Sequence, residues 1–359
     1  MRYPFLKLEE TVTKNNIRKM ACKARDLNLE FRPHFKTHQS GKIGEWFRDV
    51  GVNAITVSSL SMAEYFASQG WLDITVAFPV SILDLRRIDK LTSQIDLHIL
   101  VNDLEAVEFF NNNLTNNLST YIEIDPNYGR SGIPFSNLEM IEVLVKEIDS
   151  SKTLNLTGFY AHAGHSYKCK GINEIKELSK PLIDQFSMIK AKYGTKLCWG
   201  DTPSCSVLNQ FGDVDQISPG NFVFYDWMQV LIGSCTPNDI ALKMNCSVVS
   251  KYQERQEILI HGGAVHFSKE FILNDDNSRN YGQVINSDES SDWSNYLKSV
   301  SQEHGIISCS PSFFNKLNIG DVVEVYPIHS CLTANLMQGY STTKGEFIKH
   351  FTSGTPYNA

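Results

Sequence analysis

Five short stretches of the chain collect the side chains that could do chemistry. Arg32-Pro33-His34-Phe35-Lys36-Thr37-His38 sets a lysine among an arginine and two histidines. Asp125-Pro126-Asn127-Tyr128-Gly129-Arg130-Ser131-Gly132 carries Arg130 in a glycine-bearing turn. Tyr160-Ala161-His162-Ala163-Gly164-His165-Ser166-Tyr167 mixes rings with small residues. Gly200-Asp201-Thr202-Pro203-Ser204 and Ser218-Pro219-Gly220-Asn221 add hydroxyls and a tight turn. Converging on one rim, such groups suit an anionic ligand with a reactive carbonyl. Each is weak alone. A lone lysine after a strand is more often a solvated charge, His162 reads equally as a core histidine, and Gly220-Asn221 as a plain turn. The argument rests on their common location.

A sixth stretch, Pro327-Ile328-His329-Ser330-Cys331, has a different chemistry. The segment is expected to be extended, so that His329 and Cys331, two apart, can point to one face. An imidazole and a thiolate suit Zn²⁺, and two protein ligands leave room for water and substrate. From spacing alone, a buried cysteine beside an unrelated histidine is the commoner arrangement.

The elements that must position these groups are legible as apolar or β-branched runs. Leu29–Phe35, Asn53–Ser59, Asp73–Pro79, Leu97–Asn102, Thr120–Asp125, Leu156–His162, Lys196–Gly200 and Gln216–Ser218 are eight candidate strands. Between them, Ile43, Trp46, Phe47 and Val50 repeat at helical spacing, as do Leu138, Ile141, Val145 and Ile148 behind an Asn137 cap. Eight strands alternating with helices predict an α/β fold, a (β/α)₈ TIM barrel, over an open doubly wound sheet. Barrel enzymes carry their sites at the C-terminal strand ends, which is where the five stretches fall. Beyond residue 222 the texture becomes mostly β, with strands expected at Ala241–Tyr252, Glu257–Phe267, Tyr281–Ile285 and Asp321–Pro327. The expected division is a barrel over 1–230, whose first few residues can pair with the second domain, and a β domain over 231–359.

Bulk properties narrow the classes. The 359 residues are too many for one small domain, and 42% apolar with 20% charged residues is ordinary for a globular enzyme. A net charge of −7 without a basic stripe argues against nucleic acid. No apolar run is long enough to span a membrane and the first residues show no signal peptide, so the expected location is the cytoplasm. The eight cysteines form no C-x-x-C pair, and plain buried thiols are expected.

Taken together and in order along nearly the whole chain, these motifs resemble the D-serine dehydratase and D-threonine aldolase family of fold-type III, alanine racemase-like pyridoxal 5′-phosphate enzymes. The Lys36 stretch resembles the cofactor-lysine motif of that family, and Tyr160–Tyr167 resembles its D-serine dehydratase-like branch. Thr202-Pro203-Ser204, Pro219-Gly220-Asn221 with Tyr225-Asp226, and Pro327–Cys331 also match. The resemblance implies that Lys36 carries the cofactor and acts as the base at Cα; a desolvated lysine among cations has the lowered pKa that both tasks need. It places Arg130 by the ring hydroxyl. Tyr160 and His162, of equal strand parity, would face the ring. The phosphate would lie against the Gly220 and Asn221 N–H groups and the Thr202 and Ser204 hydroxyls. It makes His329 and Cys331 zinc ligands, since the aldolases carry His-x-Asp there, and it implies a homodimer.

The implied activity is a lyase acting on a β-hydroxy-D-amino acid, taking D-serine to pyruvate and ammonia. The rivals are retro-aldol cleavage to glycine and an aldehyde, a racemase, which has no use for a metal pair, and a non-enzymatic cofactor carrier built on the barrel alone. Two departures from the family pattern, Ile260-His261-Gly262-Gly263-Ala264-Val265-His266 and Asp201, are expected to reshape the substrate pocket.

Overall fold

The structure is a computed structural model, and it describes residues 2–285 and 293–351. The chain divides into two compact units. One comprises residues 17–222 and 232–234; the other gathers the described parts of 1–16, 223–231 and 235–359. Trp227–Leu231 belongs with the second unit, where Trp227 stacks on Tyr326 and the Met228 N–H donates to the Ile328 carbonyl.

The first unit is an eight-stranded parallel barrel. Around it run Glu30–Phe31, Gln216–Ile217, Lys196–Trp199, Leu154–Ala161, Leu118–Asp125, Asp96–Val101, Asp73–Pro79 and Ala54–Val57. All eight expected strands are present. The first ladders over only two residues because Pro33 has no N–H to donate. Closure is made just beyond it. The Phe35 N–H donates to the Thr56 carbonyl at 2.8 Å and the Thr56 N–H to the Pro33 carbonyl at 2.9 Å.

Helices cover the outside as their periodicity dictates. Gly41–Arg48 buries Ile43, Trp46 and Phe47. Leu138–Ser150 starts on Asn137, whose side chain accepts from the Met140 N–H, and buries Ile141, Val145 and Ile148. Leu138, expected on that face, is exposed in the first turn.

Inside the barrel, side chains form layers. Leu100, Tyr121, Tyr160 and Cys198 pack as one buried cluster. Toward the N-terminal strand ends the filling is ionic. Arg32, almost fully buried, makes a two-pronged contact with Asp73 at 2.6 and 2.9 Å and a third with the Thr75 hydroxyl at 3.1 Å. His98 Nε2 lies 3.2 Å from Asp73 and 3.3 Å from Asp96. Arg32, which opens the lysine motif, therefore belongs to the floor of the barrel. Strand alternation then lifts His34 above it and brings Lys36 to the mouth.

The second unit is a nine-stranded, mainly antiparallel sheet. Its order is Glu257–His261, His304–Ser308, Tyr296–Val300, Gly282–Val284, Val322–Pro327, Leu242–Tyr252, Phe5–Leu8, Gly339–Thr342 and Phe347–Lys349. Leu242–Tyr252 also pairs with Glu257–His261, which closes six of these strands into a ring. Phe5–Leu8 pairs antiparallel with Leu242–Asn245, so the N-terminal strand belongs to this sheet.

Two expectations fail here. The strand read over Glu257–Phe267 stops at His261, and Ala264–Phe267 is a helical turn. The chain must leave the sheet at Gly263, where a Cβ would stand 2.3 Å from the Ser301 carbonyl oxygen. The segment holding His329 and Cys331 is not extended either. His329 is the N-cap of helix Ser330–Met337, and Cys331 lies in its first turn.

Candidate active site

The barrel mouth assembles basic groups from separate strands. His34, Lys36, Arg130 and His162 act on one another electrostatically: burial first, then the charges of Lys36 and Arg130, push both imidazoles well below the usual histidine range. Both rings are therefore neutral at pH 7. The His34 Nδ1 accepts from the Lys36 N–H at 3.3 Å, which ties the lysine backbone to the strand end. Gln39 holds it from the other side, its side-chain amide donating to the Lys36 carbonyl at 2.9 Å.

The remaining expected residues divide. The Tyr160 hydroxyl interacts with Ser218, and a Cβ on Gly200 would stand 2.8 Å from it. Tyr160 therefore belongs to the buried layer with Tyr121 and Cys198, below His162. The Thr202 hydroxyl accepts from the Phe222 N–H at 3.3 Å, joining the loops after the seventh and eighth strands. Gly220 sits where a Cβ would lie 3.0 Å from the His34 carbonyl oxygen and 3.1 Å from the Thr37 hydroxyl, so its backbone is brought against the lysine loop.

The Ser204 hydroxyl bonds Asp201 and accepts from the Trp199 indole N–H at 3.2 Å. Asp201, expected to reshape the pocket, is a buried helix cap. It accepts from the Ser204 N–H at 2.7 Å and the Ser166 hydroxyl at 2.9 Å.

The sequence reading missed two mouth residues. Glu123 is buried, bonded to the Ser131 hydroxyl at 2.7 Å and the Asn102 amide at 3.1 Å, and burial lifts its carboxyl above the usual range. Tyr128 stacks on His165 at 5.8 Å and lies under the Arg130 guanidinium. It packs so closely over Gly164 that a Cβ there would stand 2.3 Å from the ring. Glu123 and Tyr128 precede Arg130 by seven and two positions, a signal visible only once Arg130 is chosen.

These features fit pyridoxal phosphate. The group is a dianion with an aldehyde, and the mouth offers a primary amine, a guanidinium, two neutral imidazoles and a glycine whose bare backbone allows close approach.

The second unit brings His329 and Cys331 together despite the helix, since the two side chains hydrogen-bond. Burial would lower the His329 pKa, but Cys331 and Glu270 outweigh it and push it up to about 11. The Glu270 carboxylate stands 2.6 Å from His329 Nδ1. Asp226, buried, accepts from the Ser330 N–H at 3.0 Å and caps Trp227–Leu231 through the Gln229 N–H. A thiol and an imidazole backed by two carboxylates form a donor set that holds positive charge, as a zinc site must.

Two other clusters bring three possible ligands together among the described residues. In Asp73, Asp96 and His98 the cation is already present, as the Arg32 guanidinium. In His261, His266 and Glu303, the His266 Nδ1 accepts from the Gly263 N–H at 3.1 Å. That leaves the proton on Nε2, aimed at Glu303 3.7 Å away, so the ring offers that carboxylate a donor rather than a metal a lone pair.

Comparison with known proteins agrees with this division. Residues 11–196 match the family model for the alanine racemase N-terminal domain, and residues 241–343 that for a serine dehydratase domain. The D-serine dehydratase of Dictyostelium discoideum is 30% identical, covering 94% of this chain and 92% of its own. An alanine racemase-like protein from Idiomarina loihiensis superposes with a TM-score of 0.88 at 26% identity, over 98% and 97% of the two chains. D-threo-3-hydroxyaspartate dehydratase from Delftia sp. HT23 gives 0.89 at 22% identity, over 98% and 97%. A cysteine-to-alanine mutant of that dehydratase has been solved in a metal-free form.

Proposed function

We propose, on the premise that the chain belongs to the D-serine dehydratase family of alanine racemase-like, pyridoxal phosphate-dependent lyases, that it converts D-serine to pyruvate and ammonia with zinc as second cofactor. Lys36 would hold pyridoxal phosphate, with Arg130 and His162 at its ring and Thr202, Gly220 and Asn221 at its phosphate; Tyr160 would support His162 from the layer below. His329 and Cys331 would hold the zinc. When bound, pyridoxal phosphate supplies an electron sink for the bond broken at Cα, and zinc supplies a Lewis acid for the departing hydroxide.

The chain's own groups do the rest. The Lys36 Nζ takes the Cα proton. His34 and His162, held neutral, line the mouth without adding charge that would repel the protonated substrate nitrogen. Glu123 lies close enough to feel the Arg130 charge and balances it inside the rim.

Cys331 carries the choice of dehydratase over aldolase: beside His329 it offers a soft thiolate where an aldolase-type site would present a harder carboxylate. Purified enzyme supplied with D-serine and D-threonine separates the two. Pyruvate from D-serine, with little glycine from D-threonine, is the expected result; rapid glycine formation moves the protein to the aldolases.

The protein also reads as a cytoplasmic homodimer. Phe78, near the end of the third barrel strand, and Leu83, just after it, are 62% and 92% exposed and form apolar surface that a second copy would cover. Light scattering at the mass of one chain would reject the dimer. Among the described residues, no helix is long and apolar enough to cross a membrane.

A further inference from the structure

We infer that Glu270 is the residue that makes His329 a metal ligand, by fixing its ring and its tautomer. The inference rests on the metal-pair reading above and adds a residue to it.

The backbone around the pair is already held. Asp226 accepts the Ser330 N–H, between the two ligands, at 3.0 Å, and the Thr333 N–H donates to the His329 carbonyl at 3.2 Å. What remains mobile is the imidazole, which can rotate about its own bond and can carry its proton on either nitrogen. Glu270 removes both freedoms. Its Oε2 lies 2.6 Å from His329 Nδ1. A carboxylate accepts and does not donate, so a proton stays on Nδ1 and Nε2 is the nitrogen left for a metal to take. A carboxylate behind a ligating imidazole also makes it a stronger donor.

Glu270 is itself held in place for this task. Ser268, at φ +74°, turns the chain after the helical turn Ala264–Phe267, and its hydroxyl accepts the Glu270 N–H at 3.1 Å. The Thr333 hydroxyl donates to the Phe267 carbonyl at 3.4 Å, tying that turn to the helix that begins at His329. The glycine-rich departure at Ile260–His266 thus has a structural outcome: it ends a strand early and delivers a carboxylate to the back of the metal histidine.

The test compares the full-length protein with Glu270→Gln, Glu270→Ala and Cys331→Ala. Zinc affinity is read by competition with a chromophoric chelator, and cobalt(II) is used as a spectroscopic substitute. Glutamine keeps a carbonyl that accepts from Nδ1, so Glu270→Gln should stay within about tenfold of the parent affinity. Glu270→Ala should lose roughly 10–100-fold, the usual cost of removing such a partner. The cobalt ligand-field bands should be nearly unchanged in the glutamine variant and broadened in the alanine variant. Parent affinity and spectrum in Glu270→Ala would overturn the inference. Equal losses in both variants with a changed cobalt spectrum would also overturn it, making Glu270 a direct ligand. Zinc affinity in Cys331→Ala equal to that of the parent would instead defeat the metal-pair reading itself.

Discussion

At the scale of single residues, the proposed chemistry of the barrel mouth turns on Lys36. Its neighbours Arg130, His34 and His162 come from three separate segments and share one electrostatic environment. Borohydride treatment of the yellow protein should fix the cofactor on the peptide containing Lys36. Lys36→Ala should abolish both that label and all pyruvate release, and a label found on any other peptide would reject the assignment. This residue was legible because a lysine motif follows a recognisable strand and four other polar stretches follow theirs. Glu270 was not legible. It lies 59 positions from His329, and nothing in either local pattern says they meet. At Ser204 the sequence shows the hydroxyl but not its partners, Asp201 and Trp199.

At the scale of elements, the presence and order of the barrel strands are readable because apolar runs bounded by helical periodicity have few other solutions. What sequence did not show is that one strand can serve two purposes along its length. Arg32 seals the floor while Lys36, four residues on, works at the mouth. The floor is an ionic lattice with a pH dependence of definite sign. Burial alone would lower His98, but hydrogen bonds to Asp73 and Asp96 win and raise it. Its contribution is therefore complete below the unfolded value of about 6.5 and is lost as pH rises through the raised folded value. Asp73 is opposite: burial is outweighed by His98 and Arg32, and it is held at about 2. Its contribution is present above about 3.9 and is lost as pH falls toward the folded value. His98→Gln should thus be destabilised relative to the parent by more at pH 6 than at pH 9 in urea titrations. An equal gap at both pH values would show that His98 contributes only packing. The helix at Ser330 was unreadable for another reason: its cap is supplied by Asp226, a hundred residues away, rather than by a local cap box.

At the scale of the whole molecule, the two proposed cofactors fall to different units. The residues assigned to pyridoxal phosphate lie within 17–222, and the metal pair with Glu270 and Asp226 lies in the other unit. The two functions should therefore be separable. Chelation should strip zinc from His329 and Cys331 while the barrel keeps its yellow colour, because no group assigned to the cofactor is also assigned to the metal. Pyruvate release from D-serine should stop, since hydroxide is a poor leaving group without a Lewis acid. Returning zinc should restore it. Cys331→Ala should behave like the chelated enzyme and resist rescue by zinc, since one of two protein ligands is gone. Cys331→Asp should instead shift the preference toward harder divalent ions such as manganese. The measurements are metal content, visible absorbance and pyruvate release on the same samples, before chelation, after it and after zinc is returned. Full activity in metal-free protein would remove the metal from the reaction. Loss of colour together with zinc would mean that the second unit's ligands also hold the barrel's cofactor site in shape, and that the two units do not act independently.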